Sequence, residues 1–484
     1  MLPIVALYLP VSIFLAAKLN IWIDEAYSLA TTSTSFGHTL HQALYFEDQP
    51  PFYFLALHAW QTLDHSIFFA RLFSVLCIGL TLVLTNNLSK RYFPSISSSF
   101  VIAGLALNPF LLWAALEIRV YALVILLTAI VQVAFLDAYW GNQRSQAARV
   151  IFVCGSIVGL YTQYYFAFLL IGLGFILALR GLAVLKKFSI DLAITVLAFS
   201  PMLLTLPQQF HTATVNQSVN QSLFQAFHEM AQIVLRFVIP AYALPHFAPT
   251  VFLICLALGF ASVQISSKRW RQDDNWYVPA VLAFTIFLLE TATLVLTHQQ
   301  ITSRYAAVMF VPFGLAVYGI LANSSPVSRF AVPVWTVLML LLSAGTLYQT
   351  YEPLAKAGDW QRVASYITAH EQPQQPVLVF EASAALPLSH YYAGVNALAP
   401  VPAPLELKRF NPRDNVLATP AQIDRVLSTQ KYPIRELWLV RTAYCKWLSV
   451  DFGCAVLNSY VHDNFQVVRN VPFYGSTVQL LRRR

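Results

Sequence analysis

Residues 20–53 read NIWIDEAYSLATTSTSFGHTLHQALYFEDQPPFY. An apolar run, LPIVALYLPVSIFLAAKL at 2–19, stands before them, and the run PPFYFLALHAWQTL begins at position 50. The stretch holds Asp24, Glu25, Glu47 and Asp48, with no lysine or arginine among them. The first run has about the ~20 residues that a bilayer-crossing helix needs and lacks a small-residue cleavage site, so it reads as a span and not as a signal peptide. The second run covers positions 50–63, roughly 21 Å at ~1.5 Å per residue, which is short of the ~30 Å hydrocarbon core. It reads as an interfacial segment, which makes residues 20–65 a first loop on one face of a membrane.

Composition agrees. Of 484 residues, 57% are hydrophobic, 14% aromatic and only 11% charged, and the mean hydropathy is +0.59, too apolar for a soluble chain. The net charge of +8 is a topology signal in such a sequence and not a mark of nucleic-acid binding. Beyond the first span, apolar segments recur at about 66–88, 97–116, 119–139, 149–165, 166–180, 188–206, 249–266, 276–297, 305–322 and 329–349, giving an expectation of about eleven transmembrane helices. With the N-terminus in the cytoplasm, the inner loops hold eleven basic residues: Lys90, Arg91, Arg144, Arg149, Arg180, Lys186, Lys187, Lys268, Arg269, Arg271 and Arg329. The outer ends before residue 350 hold five: Lys18, Arg71, Arg119, Arg236 and Arg304. That asymmetry follows the positive-inside rule, and counting 50–63 as a span would reverse it.

The chain changes character at about residue 350. The strand-like PVLVFEA and RELWLVRT, the helix-like TPAQIDRVLSTQ and the closing FQVVRNVPFYGSTVQLLRRR predict a small mixed α/β domain over 350–484. The topology puts it outside the cytoplasm. Cys445 and Cys454 fall in this part, where a disulfide is compatible with an outside location, whereas Cys77, Cys154 and Cys255 read as small core residues of apolar segments. The expected organisation is an all-α polytopic bundle over 1–349 and an extracytoplasmic α/β domain over 350–484.

Several polar residues are not explained by packing. The Pro50-Pro51 pair fixes the backbone behind Glu47, Asp48 and Gln49. LEIRVYAL at 116–123 sets Glu117 and Arg119 at a span end with almost no polar linker, and HQQITSRY at 298–305 places His298 and Arg304 similarly as anion contacts. Glu290 lies about two turns inside a span, where an acid faces a cavity or a partner. Asp137 and Asp191 read as interfacial residues at inner span ends. Carboxylates on an outer loop can take a proton from an acceptor hydroxyl, and guanidinium groups at neighbouring mouths can hold a phosphate. At a membrane surface the fitting phosphate is that of a lipid carrier.

Taken in order, WIDEAYS, DQPPFYFLALHAW, FARLFSV, SKRYFP, LNPFLLWAALEIRVYALVIL, GLYTQYYF and SRYAAVMFVPFGLAV resemble the membrane glycosyltransferases related to the dolichyl-phosphate-mannose protein mannosyltransferases and the bacterial lipid A aminoarabinose transferase. The likeness covers roughly residues 10–320. It implies the C-type glycosyltransferase fold, an extracytoplasmic active site, a polyprenyl-phosphate sugar donor, inversion at the anomeric carbon and, by analogy, residence in a bacterial inner membrane. It also implies Asp24 as catalytic base, Glu25 as its support, and Asp48 as the group that positions the acceptor, a water or a metal ion. Arg119 and Arg304 would bind the donor phosphate, with Glu117 and Tyr121 shaping that mouth. Tyr164 and Tyr165 would form aromatic walls, and Glu47, Gln49, Gln163 and Glu290 would complete the pocket. The chain departs from relatives at Gln49, where many carry His or Lys, at Gln163, where many carry His, and at Ala26-Tyr27, where the aminoarabinose enzyme has an arginine soon after its acid pair. The acceptor, whether lipid, glycan or protein, and any divalent metal stay open. Two alternatives stand beside it: a transporter or flippase of a lipid-linked sugar, using the same acids for proton coupling, and a polysaccharide polymerase or ligase.

Overall fold

A computed structural model of the chain describes residues 2–140, 145–217, 222–237, 275–297, 302, 304–323, 328–430, 432–447 and 450–484. Two compact units emerge: residues 1–16 with 49–349, and residues 17–48 with 350–484. Residues 20–48 of the first loop, grouped by the sequence reading with the spans, therefore fold with the C-terminal region, while residues 49–65 stay with the first unit.

The first unit is a bundle of apolar helices. Six described helices are long and apolar enough to cross a membrane: Ile67–Tyr92, Tyr121–Trp140, Val184–Leu204, Tyr277–Thr297, Tyr305–Ala322 and Phe330–Tyr351. The count reaches eight if the broken pairs Ile4–Lys18 with Ile23–Thr31 and Ser98–Ala106 with Pro109–Ala115 are each one span. The second break has a local cause: the Asn108 side chain accepts from the N–H groups of Phe110 (3.0 Å) and Leu111 (3.4 Å), and Pro109 starts a new helix where its missing N–H costs nothing. Helices Gln146–Leu160 and Phe166–Arg180 are shorter, at 15 residues each. The segment 249–266 lies outside the described residues. Tyr121–Trp140 is 83% buried and Val184–Leu204 only 22%, so the first is central and the second turns most of its apolar surface outward, as a lipid-facing helix does.

Helix Phe52–Gln61 has ten residues, about 15 Å of rise, and is too short to cross. Trp60 holds it on the start of the next helix, stacking on Phe69 at 4.7 Å and donating its indole N–H to the Phe69 carbonyl at 2.8 Å. Asp137 and Asp191, read from the sequence as interfacial, pair with arginines, Arg91 at 2.5 Å and Arg149 at 2.8 Å, and Asp191 is buried. Cys77 is buried but Cys154 is exposed, because it shares a helix face with the outward-facing Val150 and Ile151.

The second unit carries a five-stranded sheet in the order β2-β1-β3-β7-β6, formed by β1 (Val377–Phe380), β2 (Leu398–Pro400), β3 (Glu436–Thr442), β6 (Phe465–Phe473) and β7 (Ser476–Arg483). A separate ribbon pairs β4 (Lys446–Trp447) with β5 (Val450–Asp451). β1 runs parallel to β2 and β3, and β3, β7 and β6 are antiparallel neighbours. Alternation along the strands feeds two cores: Leu378, Phe380, Leu437 and Leu439 pack with Ile423 and Leu457 on one face, while Val377, Val379, Trp438 and Val440 pack with Val363 and Ile367 on the other. The helix read at TPAQIDRVLSTQ forms as Pro420–Ser428, opened by a Thr419–Gln422 capping box. Cys445 and Cys454 are disulfide-bonded.

Gly453 opens the helix that carries Cys454 and has φ +88°, where a Cβ would stand 2.0 Å from the Leu417 carbonyl oxygen. Backbone cannot yield as a side-chain tip would, so Gly453→Ala is expected to destabilise this unit by roughly 2–4 kcal/mol. Gly37, inside helix Phe36–Tyr45 with nothing within 4 Å of its Cβ position, provides the contrast: Gly37→Ala should be neutral or stabilising by up to about 1 kcal/mol. Thermal unfolding of both purified variants checks the difference in sign.

Candidate functional site

In the second unit the acidic loop is held by residues from far along the chain. Helix Ile23–Thr31 begins after Trp22, whose N–H donates to Glu25 Oε2 at 3.2 Å. The same oxygen accepts from Lys356 Nζ at 2.9 Å, with the Glu25 side chain 0% exposed and that of Lys356 10%. The Lys356 backbone N–H donates to Asn20 Oδ1 at 2.8 Å, and the Ile21 N–H donates to the Tyr391 hydroxyl at 2.8 Å. Glu25 is thus a buried anchor of the loop. Asp24, on the same first turn, is half-buried and lies within electrostatic range of Tyr27 and Tyr444, as does Glu381. Glu381 is itself buried and accepts from the N–H and hydroxyl of Ser383, at 3.1 and 2.6 Å.

An aromatic wedge fixes the far end of the loop. Phe410 meets Tyr27, Phe46 and Trp447 edge-on, with ring centroids 6.2, 6.4 and 6.1 Å apart. Its neighbour Arg409 lies in electrostatic range of Asp48. Asp48 has φ +52°, a left-handed conformation that Asp and Asn tolerate better than most side chains, and its Oδ1 has no hydrogen-bond partner among the described residues. Burial pushes its carboxyl up from 3.8 to about 7; Arg409 works against that rise and Glu47 adds to it. Glu47 also accepts from the Thr31 hydroxyl at 3.3 Å.

In the first unit Phe52, Tyr305 and Glu290 lie around the Tyr161–Tyr165 turn. Phe52, just after Pro50-Pro51, donates its N–H to the Tyr161 carbonyl at 2.9 Å. Tyr164 donates to Gln209, and the Tyr165 ring lies 5.7 Å from that of Tyr305, the residue after Arg304. Tyr165 is also within electrostatic range of Glu290. Glu117 and Arg119 are buried in the turn before helix Tyr121–Phe135, and the Glu117 carbonyl accepts from the Ser74 hydroxyl at 2.6 Å. Tyr121 stacks on Trp113 at 5.0 Å. The helix that follows Arg119 packs against the turn that follows Arg304. Gln49 is half-buried at the start of this unit, and His298 lies outside the described residues.

No protein-family model and no curated protein matches the chain.

Sequence reasoning missed Lys356, Arg409, Phe410 and Glu381. A signal for the two cations was present: a loop with four acids and no base needs positive charge from elsewhere, and EPLAKAGDW and LKRFNP supply it. Arg71 was counted only as a loop charge, yet it is fully buried and donates to the Ala16 carbonyl at 3.1 Å, capping the first helix. Among the described residues, no three His, Cys, Asp or Glu side chains are arranged to hold a metal.

The raised carboxyl of Asp48 has a signed consequence. Its folded-state value lies above the unfolded one, so the folded protein keeps a proton that the unfolded chain releases between about pH 4 and 7, and this contribution to stability fades as pH rises through that window. Asp48→Asn removes the term while keeping a residue suited to the left-handed conformation. The variant should gain stability relative to wild type as pH is raised from 5 to 8, with Glu47 and Arg409 unchanged; thermal unfolding at the two pH values checks this.

Proposed function

We propose that this chain is an inverting membrane glycosyltransferase that moves a sugar from a polyprenyl-phosphate donor to an acceptor hydroxyl on the extracytoplasmic face. The observation that carries the reading is the joint folding of residues 17–48 with 350–484. Two segments of one compact unit lie on one side of a membrane, so the chain between them crosses an even number of times. The ten spans expected after the first loop meet that condition; making the ten-residue helix Phe52–Gln61 an additional crossing would break it. The positive-inside asymmetry makes that shared side the outer one, which fits the eleven-span C-type glycosyltransferase architecture, a cytoplasmic N-terminus and a bacterial inner membrane.

In this reading Asp24 takes the proton of the acceptor hydroxyl as its oxygen attacks the anomeric carbon. The bond to the phosphate oxygen breaks, and that oxygen leaves with the electron pair as polyprenyl phosphate. Arg119 and Arg304 bind the charge that accumulates there. Asp48, whose Oδ1 has no hydrogen-bond partner among the described residues, orients the acceptor hydroxyl. Glu25 keeps Asp24 in register through its bond to Lys356.

Transfer from a labelled polyprenyl-phosphate sugar by purified, detergent-solubilised protein tests the reading. Asp24→Asn should lower the rate by roughly 10²–10⁴-fold, the range for loss of a general base, and Arg119→Ala or Arg304→Ala by about 10- to 100-fold, the loss of one charge-assisted contact. Undiminished transfer by folded Asp24→Asn removes Asp24 from the mechanism. Lipid movement in vesicles, with no glycosylated product in detergent, favours a transporter instead.

A further inference from the structure

Two acids of the bundle are paired, and among the described residues a third has no partner. Asp137 and Asp191 pair with arginines at 2.5 and 2.8 Å. Glu290 is 0% exposed within helix Tyr277–Thr297, on the buried face that also holds Ala283, Phe287 and Leu294, and neither Oε1 nor Oε2 has a hydrogen-bond partner among the described residues. A second unsatisfied acceptor is nearby in the fold: Gln163, 7% exposed, whose Oε1 also has no partner. It sits in the turn that carries Tyr165, held there by a bond from its own N–H to the Gly159 carbonyl at 2.9 Å. Tyr165 connects the two, being two residues from Gln163 and within electrostatic range of Glu290.

Leaving buried polar groups without partners is strongly unfavourable, and unsatisfied groups in a membrane helix mark sites that something else completes. Gln163 Oε1 can only accept, and the Glu290 carboxyl accepts at both oxygens when ionised and at one when protonated, so the missing partner is a group rich in hydrogen-bond donors. A polyprenyl tail offers no hydrogen-bond donor, and a phosphate offers acceptors and negative charge. A sugar ring offers several hydroxyls, or an ammonium group in an amino sugar. We infer that Glu290 and Gln163, beside Tyr165, form the subsite that reads the donor substituents of the transferred sugar, apart from the arginines assigned to its phosphate. The inference rests on the transferase reading for the identity of the ligand as a lipid-linked sugar. It adds that selection among sugars occurs inside the bundle, at Glu290.

Two measurements on the purified full-length protein test it. Without ligand, Glu290→Leu should melt at or above the wild-type temperature, since an unsatisfied acid kept for binding is a liability to the fold; a lower Tm makes Glu290 a structural residue and overturns the inference. With ligand, wild type should bind a polyprenyl-phosphate hexose or a polyprenyl-phosphate aminopentose about 10- to 100-fold more tightly than bare polyprenyl phosphate. Glu290→Leu should lose that preference and keep its affinity for the bare lipid. Glu290→Gln should retain most of the preference for the hexose and lose that for the aminopentose if the group read is an ammonium. A sugar preference that is absent in wild type, or survives in Glu290→Leu, overturns the subsite. Failure of the transferase reading looks different: the wild type binds the sugar lipid with the Glu290-dependent preference and forms no transfer product.

Discussion

The ion pair between Glu25 and Lys356, 2.9 Å long and closed to solvent on the glutamate side, is the constraint from which the arrangement of the second unit follows. A carboxylate with no exposure would be untenable alone, and removing either partner of such a pair typically costs about 3–5 kcal/mol. The pair joins positions 331 residues apart (356 minus 25), and backbone contacts at Asn20 and Ile21 run alongside it. It turns what would be a polar connection between membrane segments into part of an α/β fold. The Glu25 oxygen that accepts from Lys356 also accepts from the Trp22 N–H, so the charge pairing and the start of the helix bearing Asp24 form a single device.

The same docking sets the chemistry at the other end of the loop. Phe410 wedges between Tyr27, Phe46 and Trp447, and the chain direction then brings Arg409 toward Asp48. Burial and the neighbouring Glu47 make the ionised form of Asp48 unfavourable, and Arg409 moderates the effect. A carboxyl kept partly protonated can both accept and donate a hydrogen bond, which suits the orienting role proposed for Asp48. The C-terminal region thus sets the surroundings of Asp48.

Much of the membrane part was legible because its signals are local. Apolar run length marks Ile67–Tyr92, Tyr277–Thr297 and Phe330–Tyr351, and the short run after Pro51 already excludes Phe52–Gln61 as a crossing. The α/β region was legible in its period-two strands and in the Thr419-Pro420 helix start. Run length did not reveal the break at Asn108, where a side-chain cap overrides continuous hydrophobicity. Nor did it reveal that residues 17–48 belong with residues beyond 350, because Glu25 and Lys356 carry no local mark of each other. Glu290 was visible as an anomaly from its place in a span; that neither of its oxygens has a partner among the described residues is a matter of packing that no single sequence displays.

Hydrogen exchange of the Ile23–Thr31 amides in Lys356→Met, compared with wild type, tests the central claim most directly. If the loop is part of the C-terminal fold, removing a charge 331 positions away should cut protection in that helix by about 100-fold or more, the equivalent of roughly 3 kcal/mol. Unchanged protection at Ile23–Thr31 in a folded Lys356→Met protein would contradict the account.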